Sequence, residues 1–342
     1  MKAQFLEGIS PAENRPLKLK DLSIPQPKAK EILLKVSACG VCHTELDEIE
    51  GRLKPKLPII LGHEIVGKVE GLGSRATRFK IGDRVGVAWI NSACGKCSFC
   101  REGNENLCPE FEGTGCQVNG GYAQYTVVSE DFAYMIPDRF TDSQAAPLLC
   151  AGAIGYRALN LTGLEDGQVL GLFGFGASAH IVIQTAKYLY PKCKVFVFTR
   201  PGQKEHQELA KKLGADWTGV TGDTPPEQLN GAIDFTPAWK PIVEALRVLE
   251  KGGRVVINAI RKEEADKESL LQLYYPTHLW LEKEIKSVAN ITRRDAEEFL
   301  PLAAEIPIIP EVQEFKWEEA NKALILLKQG KIQGAGVLKM SK

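Results

Sequence analysis

Residues Val169–Ala179 read VLGLFGFGASA, a short apolar run that breaks into a glycine-rich turn and then enters a helix. Val169–Phe173 predicts a buried strand. Gly174-Phe175-Gly176-Ala177-Ser178-Ala179 forms the turn, and His180–Tyr190 carries apolar Ile181, Val182, Ala186 and Leu189 as a helix would. In such a turn the first glycine permits the sharp bend, and the second lets a pyrophosphate approach the backbone. Ala179 at the third position is tolerated by the looser fingerprint. The free N–H groups of the helix start suit an anion. The same residues also allow a plainer reading, a strand–turn–helix corner with no ligand.

Working outward, Lys194–Thr199 is a strand, Gln203–Leu213 a helix ending at Gly214, and Gly231–Phe235 a strand. Trp239–Lys251 reads as a helix stopped by Gly252-Gly253, and Arg254–Ala259 as a strand. Strands alternating with helices imply a parallel doubly wound sheet. At the end of the second strand, where an NAD-binding chain places Asp or Glu against the ribose hydroxyls, this chain has Thr199-Arg200, with Lys204 soon after. An arginine pairs with a 2′-phosphate that a carboxylate would repel. The expectation is NADP in preference to NAD; the alternative is a solvated Arg200 that only stacks on adenine.

The first part of the chain is written differently. Glu31–Ala38 (EILLKVSA) alternates, and Ile65–Val69, Arg84–Ala88 and Tyr122–Val128 are short strands between glycine-rich turns, as a compact β-barrel requires. An amphipathic helix, Trp317–Gln329, and a last strand, Ala335–Met340, return to that barrel. The fold class is therefore α/β plus β: residues 1–149 and 291–342 form the barrel domain, and residues 150–290 the dinucleotide-binding domain.

Out of the barrel stretch rises Cys94-x2-Cys97-x2-Cys100-x7-Cys108. Thiolates at these intervals converge on one tetrahedral Zn²⁺ with no open position, which is a structural site. Disulfides, idle thiols or a nucleic-acid zinc ribbon are the alternatives; the last wants a basic context that is absent here. Cys42, His63 and Cys150 lie far apart, and spacing alone does not make them a metal site, since a lone buried cysteine is more often a small apolar core residue.

Composition bounds the rest. The 342 residues suit two ordinary domains, and Lys plus Arg (43) balances Asp plus Glu (43), which argues against a nucleic-acid partner. No run reaches membrane-spanning length, so no membrane partner is expected. Nine cysteines behind a polar start, MKAQFLEGIS, point to a reducing cytoplasm.

The motifs GVCHT (Gly40–Thr44), GHE (Gly62–Glu64), the four-cysteine loop, PLLCAG (Pro147–Gly152) and the GxGxxA turn occur in the order seen in zinc-dependent medium-chain alcohol dehydrogenases, which the chain resembles over essentially its whole length. The resemblance implies a GroES-like β-barrel catalytic domain joined to a Rossmann cofactor domain. It implies two zinc ions per chain: a catalytic one on Cys42, His63 and Cys150 with Glu64 nearby, and a structural one on Cys94, Cys97, Cys100 and Cys108. The catalytic zinc is a Lewis acid for a small alcohol or aldehyde, and hydride passes to or from NADP or NAD. Thr44 matches the hydroxyl that passes the alcohol proton outward. Asp47 stands where many relatives carry the outer histidine of that relay, and Glu45 replaces the usual aspartate beside the zinc histidine.

Further correspondences concern the cofactor and the substrate. Cofactor contacts fall on His43, Gly174, Gly176, Ala179, Thr199, Arg200 and Lys204. Trp89, Leu53 and Ile154 match pocket residues; a large Trp89 favours small primary alcohols, though the same ring also reads as barrel core. A homodimer or homotetramer is expected, paired near the strand after Lys286. A zinc-free quinone or enone reductase of the same superfamily would lack the cysteine motifs, and a non-catalytic dinucleotide- and zinc-binding protein need not keep Cys42, His63 and Cys150.

Overall fold

Glu31–Val41 is the strand on which the first unit is built. Its alternation buries Ile32, Leu34, Val36 and Ala38, and it then continues fully buried through Cys39, Gly40 and Val41. Alternation alone predicts an end at Ala38. The strand runs on because its last residues pair on both sides, Cys39 with Ile65 and Leu338, Gly40 with Val337, and Val41 with Gly336. A doubly paired, doubly covered strand has no solvent face and so loses its alternation.

The structure is a computed structural model describing residues 1–306, 308–332 and 334–340. The chain divides into two compact units: Met1–Cys150 with Asn290–Ala304 and Ile309–Lys342, and Ala151–Ala289 with Glu305–Ile308. In the first, the main sheet runs Ala133–Met135, Arg84–Val87, Ile65–Leu72, Glu31–Val41, Ala335–Lys339, Val312–Lys316, with Tyr125–Ser129 also pairing to Glu31–Val41. Lys2–Leu6 lies between Leu17–Asp21 and Ile59–Ile60 in a smaller sheet, and Ile90–Ser92 pairs with Glu112–Gly113. One apolar core joins these sheets, with Leu34, Ile49, Ile60, Ile65, Tyr122 and Leu338 near its centre.

In the second unit six parallel strands run in the order Trp217–Val220, Lys194–Thr199, Val169–Phe173, Leu229–Asp234, Leu249–Ile257, Glu284–Ser287. This is the doubly wound order with its switch point beside Val169–Phe173, where ligands bind at the carboxyl ends of the strands. The helix expected over Trp239–Lys251 spans only Lys240–Val248; Leu249 already belongs to the strand, fully buried against Leu229. Gly252, at φ +68°, therefore turns the backbone inside a strand instead of ending a helix. A helix also spans Arg293–Glu305, with Pro301 inside it. Burial of Ala296, Phe299, Leu300 and Ala303 along one face outweighs the hydrogen bond that the proline removes.

The short helix His43–Ile49 carries much of the site and is pinned at its far end by Glu50. That carboxylate accepts from Ala12 N at 3.0 Å and from Lys328 Nζ at 2.7 Å, and pairs with Arg52. Burial alone would raise the Glu50 pKa, but Lys328, Ala12 N–H and Arg52 outweigh it and hold it at about 2, against an ordinary 4.5. A carboxylate depressed in the folded state stabilises fully above its unfolded pKa, and that stability is lost as pH falls toward the folded value. Urea unfolding at stepped pH should therefore show wild-type stability declining from about pH 4.5 toward pH 2, and Glu50→Gln should flatten that decline while lowering stability at neutral pH. A parallel decline in both proteins would exclude Glu50 as its source.

Candidate active site

Cys42 follows the long strand and caps the helix His43–Ile49 in an extended conformation. Its backbone N–H donates to Glu45 Oε2 at 2.9 Å. The other oxygen, Glu45 Oε1, accepts from His63 N at 3.2 Å and lies 2.5 Å from His63 Nδ1. One buried carboxylate thus closes the helix start and orients the imidazole. With Nδ1–H committed to Glu45, Nε2 is the free ligand atom of a neutral His63. His63 and Glu64 immediately precede the strand Ile65–Leu72, whose register sets Ile65 against Cys39. Cys150 ends the short turn Ala146–Leu149.

These elements bring ligand atoms of Cys42, His63, Glu64 and Cys150 within 4.8 Å of one another. Gly40 makes room: a Cβ there would lie 1.7 Å from Glu64 Oε2. Charge in the cluster is lopsided. The neighbouring Cys150 thiol stabilises a Cys42 thiolate, against burial and with help from His63, so the Cys42 pKa falls well below that of an ordinary thiol. Interaction with Cys42, then burial, raises the Cys150 thiol in turn. Burial, then the Cys42 charge, pushes Glu64 well up. Burial opposes an imidazolium at His63, but Glu45 and Cys42 outweigh it and raise its pKa. Two thiols, an imidazole and carboxylates around one point are a donor set that fits Zn²⁺, and a divalent cation balances their accumulated negative charge.

The four-cysteine loop also converges, with the sulfurs of Cys94, Cys97, Cys100 and Cys108 within 4.8 Å of one another. Backbone N–H groups point at sulfur: Cys97 N to Cys94 Sγ at 3.4 Å, Cys100 N to Cys97 Sγ at 3.5 Å, and Cys94 N to Cys108 Sγ at 3.4 Å. The N–H groups of Lys96 and Cys97 draw the Cys94 thiol down to about 6, while burial and Cys97 push Cys100 up to about 12. The Cys94 and Cys100 sulfurs are 3.9 Å apart and all four cysteines are free, so the loop is a set of thiols and not a disulfide. Its base is tied by Glu105 Oε1, which accepts from Arg293 N at 2.8 Å and Arg293 Nε at 3.0 Å.

The remaining sequence candidates in this unit fall nearby. Thr44 is buried with Oγ1 3.7 Å from Cys42 Sγ. Asp47 is buried and ion-paired to Arg52 Nε at 2.6 Å. His43 is exposed at the helix start. Half-buried Leu53 donates its N–H to Asp47 O at 3.1 Å. The half-buried Trp89 ring packs on Phe111 with centroids 5.2 Å apart.

In the second unit, Gly174 adopts φ +84° and donates to Phe198 O at 2.8 Å. Gly176 is exposed with open space at its Cβ position, and Ala179 is buried as the first residue of the helix Ala179–Leu189. Arg200 and Lys204 are exposed, whereas the buried Thr199 hydroxyl accepts from Gln207 Nε2 at 2.9 Å. Half-buried Ile154, on the helix Ala151–Thr162, packs against this unit's core.

Residues 28–138 match the family described as alcohol dehydrogenase GroES-like domain. The chain is 41% identical over 344 residues to a probable alcohol dehydrogenase, AdhA, of Mycobacterium tuberculosis, spanning 99% of this chain and 97% of that protein. It is 35% identical to an alcohol dehydrogenase of Geobacillus stearothermophilus, over 99% of this chain and all (100%) of the other. Among solved structures, acetophenone reductase from Geotrichum candidum, in complex with NAD, superposes with a TM-score of 0.85 at 25% identity, covering 99% of this chain and 97% of that one. The chain belongs to the zinc-dependent medium-chain alcohol dehydrogenase family. It is an oxidoreductase acting on CH–OH donors, with the GroES-like and Rossmann architecture expected from its motifs.

For an alcohol dehydrogenase two features, one in each unit, were not legible in the residues. Glu48, in a run that looks like an exposed charged helix face (TELDEIE), is 1% exposed. Asp234, at the carboxyl end of its strand, is fully buried and pairs with Lys262, whose Nζ also donates to Thr236 O and Ala238 O at 2.8 Å each. Partners so far apart in sequence give no local signal. The contacts of Glu45 lead to a direct test. Removing a carboxylate that orients a metal-binding histidine typically costs about 10–100-fold in metal affinity. If Cys42, His63 and Cys150 hold zinc, Glu45→Ala should lose it at about 10–100-fold lower chelator concentration, while any ion on the four-cysteine loop is unaffected. Zinc per chain during chelator titration measures this, and unchanged retention would detach Glu45 from the metal site.

Proposed function

We propose that the chain is a zinc-dependent alcohol dehydrogenase and aldehyde reductase that prefers NADP(H) and acts on small, primary alcohols or aldehydes. The observation that carries this reading is the convergence of Cys42, His63, Glu64 and Cys150 in a family whose members act on CH–OH groups. Cys42, His63 and Cys150 would hold the catalytic zinc with Glu64 beside it, and Cys94, Cys97, Cys100 and Cys108 the structural one, giving two per chain. The catalytic zinc supplies Lewis acidity to the substrate oxygen. The protein's own residues do the rest. Glu45 holds His63 in place, and Thr44 passes the alcohol proton outward from beside Cys42, toward Asp47, whose carboxylate Arg52 pairs with and orients.

His43, Gly174, Gly176, Ala179, Thr199, Arg200 and Lys204 serve the cofactor, with Arg200 and Lys204 facing a 2′-phosphate. No acidic side chain occupies Arg200's position, and both cations are exposed, which supports the NADP preference. Trp89, Leu53 and Ile154 shape the pocket. The division into barrel (1–149, 291–342) and cofactor (150–290) domains is supported by the two compact units; residues 307, 333, 341 and 342 lie outside the described residues.

A homodimer or homotetramer is supported by the open sheet edge Glu284–Ser287, all four residues of which are exposed, and by exposed Leu271, Tyr274, Tyr275 and Trp280 nearby. Cytoplasmic residence is supported by nine free cysteines. No described helix is long and apolar enough to cross a membrane.

Steady-state kinetics on a panel of alcohols and aldehydes with both cofactors test the reading. Higher kcat/KM with NADP(H) is expected, and Arg200→Ala should reduce that efficiency by about ten-fold while leaving NAD(H) nearly unchanged. Equal or better efficiency with NADH removes the NADP claim, and metal analysis giving fewer than about two zinc per chain removes the two-site claim. Sedimentation as a monomer, or a Trp280→Glu variant with unaltered mass, would remove the proposed interface.

A further inference from the structure

Two loops of the second unit meet at the carboxyl ends of their strands and are fastened together by a buried ion pair. Asp234 ends the strand Leu229–Asp234 directly beside Phe173, and Phe235 N donates to Phe173 O at 2.9 Å. The glycine turn starts at the next residue, Gly174, and the Thr236 side chain covers it: a Cβ on Gly174 would lie 2.8 Å from Thr236 Cγ2. Val169–Phe173 and Leu229–Asp234 are the two strands between which the sheet order reverses. A dinucleotide in the crevice between them has the Gly174 turn on one side and Asp234–Trp239 on the other.

Lys262, on the loop after Leu249–Ile257, reaches across to that second side. Its ammonium pairs with Asp234 and donates to Thr236 O and Ala238 O at 2.8 Å each, so its three N–H bonds match three acceptors. The other carboxylate oxygen, Asp234 Oδ1, accepts from Thr236 N at 3.1 Å and from Thr236 Oγ1 at 2.7 Å. The Lys262 and Asp234 side chains are 8% and 0% exposed. Compared with a well-packed apolar pair, a buried ion pair gains little or no stability, because desolvation offsets the Coulomb attraction. Nor do the two loops lack other ties. Glu263 N donates to Pro237 O at 2.8 Å, and Asp266 Oδ2 accepts from Trp239 N at 2.9 Å and Lys240 N at 2.8 Å, closing the start of the helix Lys240–Val248. What Lys262 and Asp234 add is a hold on both the backbone and the side chain of Thr236, the residue that rests on the turn.

We propose that Lys262 is a positioning residue for the cofactor. Through Asp234 and the carbonyls of Thr236 and Ala238 it fixes Thr236 against Gly174, and so sets the conformation in which the turn receives the pyrophosphate common to NAD and NADP. The inference rests on the reading of Gly174, Gly176 and Ala179 as the cofactor turn. With its three donors committed, Lys262 acts through the loop and not by touching phosphate, which separates it from Arg200 and Lys204. Its loss therefore weakens both cofactors alike, whereas the loss of Arg200 weakens NADP.

Calorimetric titration of the full-length protein with NAD and with NADP tests this in Lys262→Met, Asp234→Asn and the double variant, each held well below its own unfolding midpoint. Asn at 234 offers a single carbonyl oxygen for the two tasks that the carboxylate divides between its oxygens, and the double variant leaves no buried charge unpaired. In all three, Kd should rise by about ten-fold for both cofactors, as for one lost phosphate hydrogen bond, with the ratio of the two Kd values unchanged. A double variant that is folded and binds both cofactors within about two-fold of wild type overturns the proposal, because a tether that serves only stability would move the unfolding midpoint and not Kd. Tighter binding by Asp234→Asn, or a loss confined to NADP, also overturns it, since either would make Lys262 a direct phosphate ligand. A wild type that binds neither nucleotide would instead overturn the underlying reading of the Gly174 turn.

Discussion

Bringing Cys42, His63, Glu64 and Cys150 to within 4.8 Å is first of all an electrostatic constraint. Three acidic groups and an imidazole, mostly buried, repel or trap protons unless a cation holds them together. The fold meets this constraint with rigid backbone. A strand that buries its last residues on both sides places Cys42 at a helix start, its antiparallel neighbour places His63, and a turn at the end of the unit places Cys150. Gly40 is part of the same solution, because any side chain there would occupy the position of the Glu64 carboxylate.

Around this cluster, single carboxylates perform two tasks each. Glu45 closes the helix start through Cys42 N and sets the tautomer of His63. Glu50 holds the other end of the same helix to the N-terminal segment through Ala12 N and to Lys328. Asp47 is bound by Arg52, which also reaches Glu50. A helix of seven residues is too short to be stable alone. These tethers and the burial of Thr44–Ile49 are what hold Cys42, Thr44 and Asp47 in fixed geometry.

The second unit keeps its chemistry at the carboxyl ends of parallel strands. Gly174 adopts a backbone conformation that other residues rarely take, and Gly176 leaves its backbone uncovered. The Asp234–Lys262 pair ties the loop after one strand to the loop after the next by anchoring two carbonyls as well as the carboxylate. Polar groups buried with full partners, as here, define loop geometry.

The amino-acid sequence by itself determined the two-domain plan, the parallel sheet and the gathering of Cys94, Cys97, Cys100 and Cys108, because these rest on local signals: strand–helix alternation, a glycine turn and thiols spaced within one loop. The family motifs marked Cys42, His63 and Cys150, although their spacing carries no metal signal of its own. The tertiary structure decided what depends on partners distant along the chain. It extended Glu31–Val41 beyond its alternation, ended the helix at Val248, tolerated Pro301 inside a helix, and buried Glu48 within a run of charged residues. In each case burial against remote segments outweighed the local preference, and such burial is a property of the folded chain that no window of sequence contains.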